Sequence, residues 1–188
     1  MKKALLLLII LAVIGGYAFS DELGIMHYPP ALEKTHFLFD FSVGWAVASS
    51  ESANINILPV FFSAEYCLPY VPVSLDALIG LYFYRWKYSD EKAPWSEALT
   101  YITLGANANW HWNINLPWLD LYTGAFIGYT LFSLKSELNP YFEHSEPTHT
   151  MAGYGGHAGA HFYFAKNYGA MVELGYPFIV KAGLALKF

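Results

Sequence analysis

The chain has 188 residues, of which 55% are hydrophobic, 19% aromatic and only 13% charged. Soluble domains usually carry about 25% charged residues, so this composition is unusual for a protein surrounded by water. The formal net charge is −5, and a nucleic-acid partner is not expected, because such binding depends on basic surfaces. The length allows one domain, and the single cysteine, Cys67, rules out an internal disulfide.

The first twenty residues predict a secretory signal peptide. Lys2 and Lys3 precede an apolar run over residues 4–14, and Ala18 and Ser20 have the small side chains that signal peptidase prefers. The run is shorter than the ~20 residues that a membrane-spanning helix needs. We therefore expect residues 1–20 to be removed, residues 21–33 to form an N-terminal lead-in and residues 34–188 to form the folded domain.

From residue 35 onward, apolar residues alternate with small or polar ones, as in "HFLFDFSVGWAVA" and "YITLGANANWHW". Alternation over such lengths is typical of β-strands. Pro59 interrupts the second strand and predicts a bulge or an end there. Eight strands are predicted, near residues 35–48, 55–66, 73–86, 99–112, 119–134, 151–165, 168–176 and 178–188.

The gaps between the predicted strands differ in length at the two ends of the sheet. Gaps 49–54, 87–98 and 135–150 lie at one end, with the tight "GYPF" turn, whereas "CLPYVP", "NINLPWL" and "KN" lie at the other. Long loops outside and short turns inside are typical of an up-and-down membrane barrel whose two chain ends face the periplasm. The pattern predicts that topology.

Alternation alone does not say whether the apolar face points inward or outward. A soluble, lipocalin-like barrel would bury the apolar face, whereas a membrane barrel would turn it towards lipid. Three features favour the membrane barrel. The polar face carries few charges, aromatic residues such as Trp112, Phe164 and Tyr168 gather at strand ends as in an interfacial girdle, and the last residue is Phe188.

The final strand carries a specific resemblance. Val180, Ala182, Leu184, Leu186 and Phe188 resemble the C-terminal signature of bacterial outer-membrane β-barrels, which the barrel-assembly machinery recognises. The chain resembles the small eight-stranded members of that class, such as the membrane domain of OmpA, OmpX and OmpW.

That resemblance implies an all-β, eight-stranded antiparallel up-and-down transmembrane β-barrel in the outer membrane of a Gram-negative-type envelope, reached by secretion to the periplasm. The implied partners are outer-membrane lipid and the barrel-assembly machinery. Closure of the barrel also has a physical reason, because every backbone polar group in lipid needs an internal partner.

The polar face of the predicted strands would fill the lumen, since eight strands leave an interior just wide enough for side chains. Glu65 and Lys187 belong to this face. Glu173 and Lys181 lie four residues either side of Pro177, so an ion pair is predicted across the last hairpin. The predicted lumen residues are Asp40, Asp76, Asn107, Asn109, His111, Asp120, His157, His161, Glu173 and Lys181.

No catalytic, cofactor-binding or metal-binding residue is predicted. His157 and His161 share a face but lie ~13 Å apart along a strand, at 3.3 Å per residue, and cannot chelate one ion by themselves. The outer segment "FEHSEPTHT" places Glu143, His144 and Ser145 together. It faintly resembles the Ser and His of lipid A-modifying outer-membrane enzymes, but a solvated loop is the favoured interpretation.

Two functions are compatible with these features. The favoured one is a non-enzymatic surface barrel that supports membrane integrity, or binds a host or envelope ligand through its outer loops. The alternative is a narrow channel for small or apolar solutes, of the porin or OmpW type. A lipid A-modifying enzyme is less favoured than either.

Overall fold

The computed structural model describes residues 31–32, 35–45, 53–88, 95–137, 143–145, 148–176 and 180–188. The predicted signal peptide, and the lead-in apart from Ala31 and Leu32, lie outside the described residues, as does the predicted strand segment 46–48. Within these ranges, no helix is long and apolar enough to cross a membrane.

The described residues form eight long strands and one short strand. The bounds agree closely with the eight predicted strands, and the short strand β6 was not predicted. The strands are β1 Phe37–Trp45, β2 Ala53–Cys67, β3 Val73–Tyr88, β4 Trp95–Trp112, β5 Leu119–Glu137, β6 Glu143–Ser145, β7 His149–Tyr163, β8 Tyr168–Gly175 and β9 Val180–Lys187.

The eight long strands close into a ring. Hydrogen-bonded neighbours follow the order β4-β3-β2-β1-β9-β8-β7-β5-β6, and β4 also pairs with β5. Every pairing is antiparallel, including the closing pair of β1 and β9. The predicted all-β, eight-stranded antiparallel up-and-down barrel is therefore confirmed.

The barrel is apolar outside and polar inside. In β1, Phe37, Phe39 and Phe41 are exposed on the outer wall, whereas Leu38 and Asp40 are buried in the lumen. An apolar surface of this extent is unfavourable in water, but it is the surface that hydrocarbon requires. The alternative of a soluble barrel is thereby rejected. The fold is that of a small transmembrane β-barrel.

β1 begins and β9 ends at the same end of the barrel, which also carries the short turns 68–72, 113–118 and 164–167. This end is called the turn end. The Phe188 carbonyl accepts hydrogen bonds from the backbone N–H groups of His36 and Phe37, at 2.8 and 3.1 Å. The Phe188 N–H donates to the Phe37 carbonyl at 2.9 Å. The last residue thus completes the seam between β1 and β9.

Pro59 lies inside β2, where the sequence predicts an irregularity. The pairing of β2 with β3 shifts register between Asn54 and Ile57 and again between Ile57 and Val60. Because proline cannot donate a hydrogen bond to the ladder, the shifted register accommodates it without ending the strand.

The barrel wall is taller on one side. β3, β4 and β5 have 16, 18 and 19 residues, whereas β8 and β9 have 8 each. A tilted transmembrane strand needs about 9–11 residues, so the three long strands continue past the hydrocarbon at the end opposite the turns, here called the loop end. β6 pairs with residues 135–137 of β5 and widens this extension.

Two apolar layers lie inside the barrel. The mouth cluster, at the turn end, consists of Ala31, Leu32, Leu38, Cys67, Tyr163, Met171 and Ala185. The aromatic layer, nearer the loop end, consists of Phe61, Leu78, Tyr82 and Phe126. Along β2, the buried Glu65 lies between Phe61 of the aromatic layer and Cys67 of the mouth cluster.

The mouth cluster includes the end of the lead-in. Leu32 is 1% exposed, and its carbonyl accepts the Thr35 N–H at 2.8 Å. The Lys187 ammonium donates to the Ala31 carbonyl at 2.7 Å and lies 3.7 Å from the centre of the Tyr163 ring. Ala31 and Leu32 therefore pack inside the barrel at its turn end.

Deleting Phe188 should weaken closure of the barrel, because three backbone hydrogen bonds of the β1–β9 seam would be lost. At about 1 kcal/mol for each net hydrogen bond, we expect the free energy of unfolding to fall by about 2–4 kcal/mol. The folded, heat-modifiable fraction in outer-membrane preparations should fall with it. The matched variant Phe188→Ala keeps the main-chain bonds and should lose less, and a wild-type folded fraction in the deletion variant would contradict the prediction.

Candidate functional site

The predicted lumen residues all lie inside the barrel, and none is more than 7% exposed. They come from seven different strands, so neighbours in the lumen are far apart in the chain. The candidate site is the network that these side chains form across the lumen. The residues are Asp40, Asp76, Asn107, Asn109, His111, Asp120, His157, His161, Glu173 and Lys181.

Asp120 lies at the centre of the network and bridges two histidines. Its Oδ1 is 3.0 Å from Nδ1 of His111, and its Oδ2 is 3.0 Å from Nδ1 of His161. His161 is the direct register partner of Asp120 on β7, whereas His111 reaches it from β4 across the short turn. All three side chains are fully buried.

The second nitrogen of each histidine also faces a carboxylate. Nε2 of His111 lies 3.0 Å from Oε1 of Glu65, and Nε2 of His161 lies 3.4 Å from Oδ2 of Asp40. A histidine donates through both ring nitrogens only as an imidazolium. The geometry therefore fits two buried imidazolium ions held between three carboxylates.

Glu65 extends the network to the far wall. Its Oε1 accepts hydrogen bonds from the Ser74 hydroxyl and from the Asn109 amide at 3.0 Å. The Asn109 carbonyl oxygen in turn accepts from Nε2 of His157 at 2.8 Å. The polar contacts thus continue across the lumen from β1 to β7.

Gly124 leaves the space through which this last contact passes. It is paired with Asn109 on one side and with His157 on the other. A Cβ atom at this position would collide with both side chains. A residue with a side chain at position 124 would break the link, so glycine is required by the close approach.

Glu173 and Lys181 form the ion pair predicted from the hairpin. They are direct register partners on β8 and β9, and Nζ of Lys181 lies 2.6 Å from Oε1 of Glu173. The Tyr122 hydroxyl donates to the other carboxylate oxygen at 3.0 Å. Both charges are almost completely buried, so each depends on the other for compensation.

Tyr122 connects the ion pair to the histidines. Its ring stacks on His161 with centroids 4.8 Å apart and contacts His111 and His157 at 5.9 and 6.1 Å. The sequence interpretation did not select this residue, because an aromatic side chain carries no charge signal. Its position two residues after Asp120, on the same face of β5, was the available clue.

Ser74, His111 and Asp120 have the spacing of a hydrolase triad, but the surroundings do not support catalysis. The Ser74 hydroxyl lies 2.9 Å from Nε2 of His111, yet the same nitrogen faces Glu65, and the hydroxyl donates to Glu65. A nucleophilic serine needs a histidine free to accept its proton. Ser74 is also fully buried, so these three side chains lack the surroundings of a catalytic triad.

The outer segment "FEHSEPTHT", interpreted above as a solvated loop, is only partly described. Glu143–Ser145 forms β6, and Glu146 lies outside the described residues. His149 begins β7, where its ring lies 5.2 Å from the Phe132 ring. Over the described ranges, no group of three or more His, Cys, Asp or Glu side chains is arranged to hold a metal ion.

The residues of the predicted assembly signal lie on the outer wall of β9. Leu184 and Phe188 are exposed, and Ala182 lies between strands β1 and β8 in register with Val43 and Val172. The inward positions between them carry Lys181 and Ala185, which are buried. This alternation turns the predicted signal towards lipid, while recognition by an assembly machinery stays a prediction.

Comparisons with known proteins find similarity in structure only. No protein family and no curated protein matches the sequence. Ail of Yersinia pestis is 13% identical, with 81% of this chain and 93% of that chain covered and a TM-score of 0.46. The N-terminal β-barrel domain of OprF from Pseudomonas aeruginosa is 18% identical, with 82% and 98% covered and a TM-score of 0.45. Neisserial surface protein A is 16% identical, with 81% and 96% covered and a TM-score of 0.45.

We expect Glu173 and Lys181 to be energetically coupled. Glu173→Gln and Lys181→Met should each lower the free energy of unfolding by about 3 kcal/mol, because each leaves the other charge buried without its partner. The double variant should lose less than the sum of the two. Urea unfolding in lipid vesicles, arranged as a double-mutant cycle, measures the coupling.

A matched cycle tests whether the coupling is specific. Thr123 faces the outer wall of β5, where its hydroxyl accepts a hydrogen bond from Trp112. Thr123→Ala combined with Glu173→Gln should therefore give additive losses. Strict additivity in the Glu173–Lys181 cycle itself would show that the pair does not contribute to stability.

Proposed function

We propose that this protein is a non-enzymatic outer-membrane barrel that supports membrane integrity or binds a surface ligand through its outer loops. It reaches the outer membrane by secretion to the periplasm and by recognition of its last strand by the barrel-assembly machinery. In this proposal the barrel body is a closed, rigid anchor, and the function lies at its loop end.

The observation that carries the proposal is the filled lumen. The mouth cluster, the buried network and the aromatic layer follow one another along the barrel axis. Phe61 and Leu32 are each 1% exposed, which leaves little space for water on either side of the network. A general porin needs a continuous water-filled path, and the described lumen favours an anchor over a pore.

The tall side of the wall supports a role at the loop end. β5 is 19 residues long, about eight more than a transmembrane strand needs. Its pairing with β4 continues to Ser96 and Glu137, so a hydrogen-bonded sheet extends past the membrane. Such an extension holds the loops away from the lipid surface, where a host or envelope ligand can reach them.

A narrow channel is the second candidate. The observation in its favour is a cavity of about 10 Å³ in the lumen, lined by polar residues that include Ser63 and Asn109. Movement of Phe61 or Leu78 would have to connect this cavity to the loop end. A lipid A-modifying enzyme gains no support from Ser74, whose histidine neighbour is already bound to carboxylates.

Planar bilayer recordings separate the anchor from the channel. The purified, refolded protein should insert without discrete conductance steps, because the apolar layers on both sides of the network leave no continuous water-filled path for hydrated ions. The variant Phe61→Ala with Leu32→Ala, which opens both layers, is the positive control and should conduct. Reproducible steps in the wild-type protein would favour the channel instead.

Surface labelling on intact cells tests the orientation. An epitope inserted near Pro147, in the longest outer gap, should be labelled by an antibody. An epitope near Asn167, in a short turn beside the seam, should be labelled only after the outer membrane is permeabilised. The reverse result would place the turn end outside the cell.

A further inference from the structure

The small lumen cavity has an unusual lining. Residues of β1 to β5, β8 and β9 line it, and its walls carry oxygen atoms from several side chains. Its volume of about 10 Å³ is enough for one water molecule or one ion of similar size. Its polar lining includes Asp40, Ser42, Ser63, Asp76 and Asn109.

Two carboxylate oxygens in this lining have no partner. Oδ1 of Asp40 and Oδ1 of Asp76 are both buried and make no hydrogen bond, although each residue is only 7% exposed. Their other oxygens are bonded. Oδ2 of Asp40 accepts a hydrogen bond from the Ser63 hydroxyl and faces Nε2 of His161, both at 3.4 Å, and Oδ2 of Asp76 accepts one from the Asn107 amide. Leaving a buried carboxylate oxygen unsatisfied is costly.

The charges of the lumen do not balance. Lys181, His111 and His161 supply three positive charges, if both histidines donate through both ring nitrogens as their geometry requires. Lys187 lies at the mouth and is bonded to Ala31. Five carboxyl groups are buried among the described residues, which leaves an excess of two negative charges. They are Asp40, Glu65, Asp76, Asp120 and Glu173.

Two of the five carboxylates differ from the others in their oxygens. Asp120 is bonded to two histidines, Glu173 to Lys181 and Tyr122, and Glu65 accepts three hydrogen bonds. Among the five, only Asp40 and Asp76 keep a buried oxygen without a partner, and both line the same small space. A singly charged cation between them would offset one of the two excess charges and give both unpaired oxygens a partner.

The donor atoms indicate the kind of cation. Carboxylate, hydroxyl and amide oxygens line the cavity, and no histidine or cysteine does; oxygen-only sites select hard cations. Calcium would need six to eight oxygen ligands, and the described acidic side chains do not form a group of three that could hold such a metal ion. Lys181 also lines the cavity and opposes a second positive charge.

We propose that the cavity binds one small monovalent cation of the size of sodium, held between Asp40 and Asp76. The ion completes the polar core of the barrel and stabilises the folded state. Because the unfolded chain has no such site, the stability of the barrel should increase with the concentration of sodium.

Unfolding of the refolded barrel in detergent micelles, followed by tryptophan fluorescence in urea, tests the proposal. Sodium chloride is compared with choline chloride at equal ionic strength, which holds charge screening constant, and choline is too large for the cavity. At sodium concentrations ten times the dissociation constant, the unfolding equilibrium constant of the wild-type protein should fall about eleven-fold. Sodium-23 NMR lines should broaden in the presence of the folded protein.

Three variants locate the effect. Asp40→Asn and Asp76→Asn remove the negative charge with little change in shape and should abolish both the sodium dependence and the line broadening. Thr103→Val is the matched control, because it removes a buried hydroxyl that bonds to Tyr82 and Thr130 and does not line the cavity; it should destabilise the barrel but keep the sodium dependence. Equal stability of the wild-type protein in sodium and choline, with no line broadening, would overturn the proposal and leave water as the occupant. Retention of the sodium effect in Asp76→Asn would overturn it as well.

Discussion

The pairing of every backbone polar group is the constraint on which this structure depends. Hydrocarbon offers no hydrogen-bond partner, so a strand left with an open edge in the membrane would carry a large cost for each unpaired group. β1 and β9 therefore meet along eight register pairs, and Phe188 completes the seam at the turn end. The outer wall can be apolar and exposed only because this ring is closed.

Closure of the ring limits which side chains can fill the lumen. A ring of eight strands encloses a space too narrow for bulk water and too large to leave empty, and its walls face each other at side-chain distance. The chain fills this space with polar groups that compensate one another. Asp120 holds two histidines, Glu65 gathers three donors, and Glu173 holds Lys181. A network of this kind is stabilising only when its members are satisfied, which is why the two unpaired aspartate oxygens are informative.

The same network bears on function. It is bordered by the mouth cluster and the aromatic layer, and this filling of the lumen is the reason for proposing an anchor rather than a channel. Ser74 shows that catalytic spacing alone does not identify a catalytic site. Its distance to His111 fits a catalytic pair, but the Glu65 carboxylate is hydrogen-bonded to both side chains. The proposed recognition is therefore assigned to the loop end, where β3, β4 and β5 are longer than a transmembrane strand needs to be.

The sequence alone specified the strands, their number and which residues share a face, because a period of two is a local property of the chain. It also determined the opposition of Glu173 and Lys181, since a tight hairpin relates residues by simple counting, and the irregularity at Pro59, since proline cannot join the ladder. The strand β6 escaped prediction because three residues are too few to show alternation. Four further features appear only in the folded barrel. They are the bridging of His111 and His161 by Asp120, the central position of Tyr122, the burial of Leu32 in the mouth cluster, and the cavity between Asp40 and Asp76. Each depends on distances across the lumen, between strands that are not neighbours, and those distances exist only after the ring has closed.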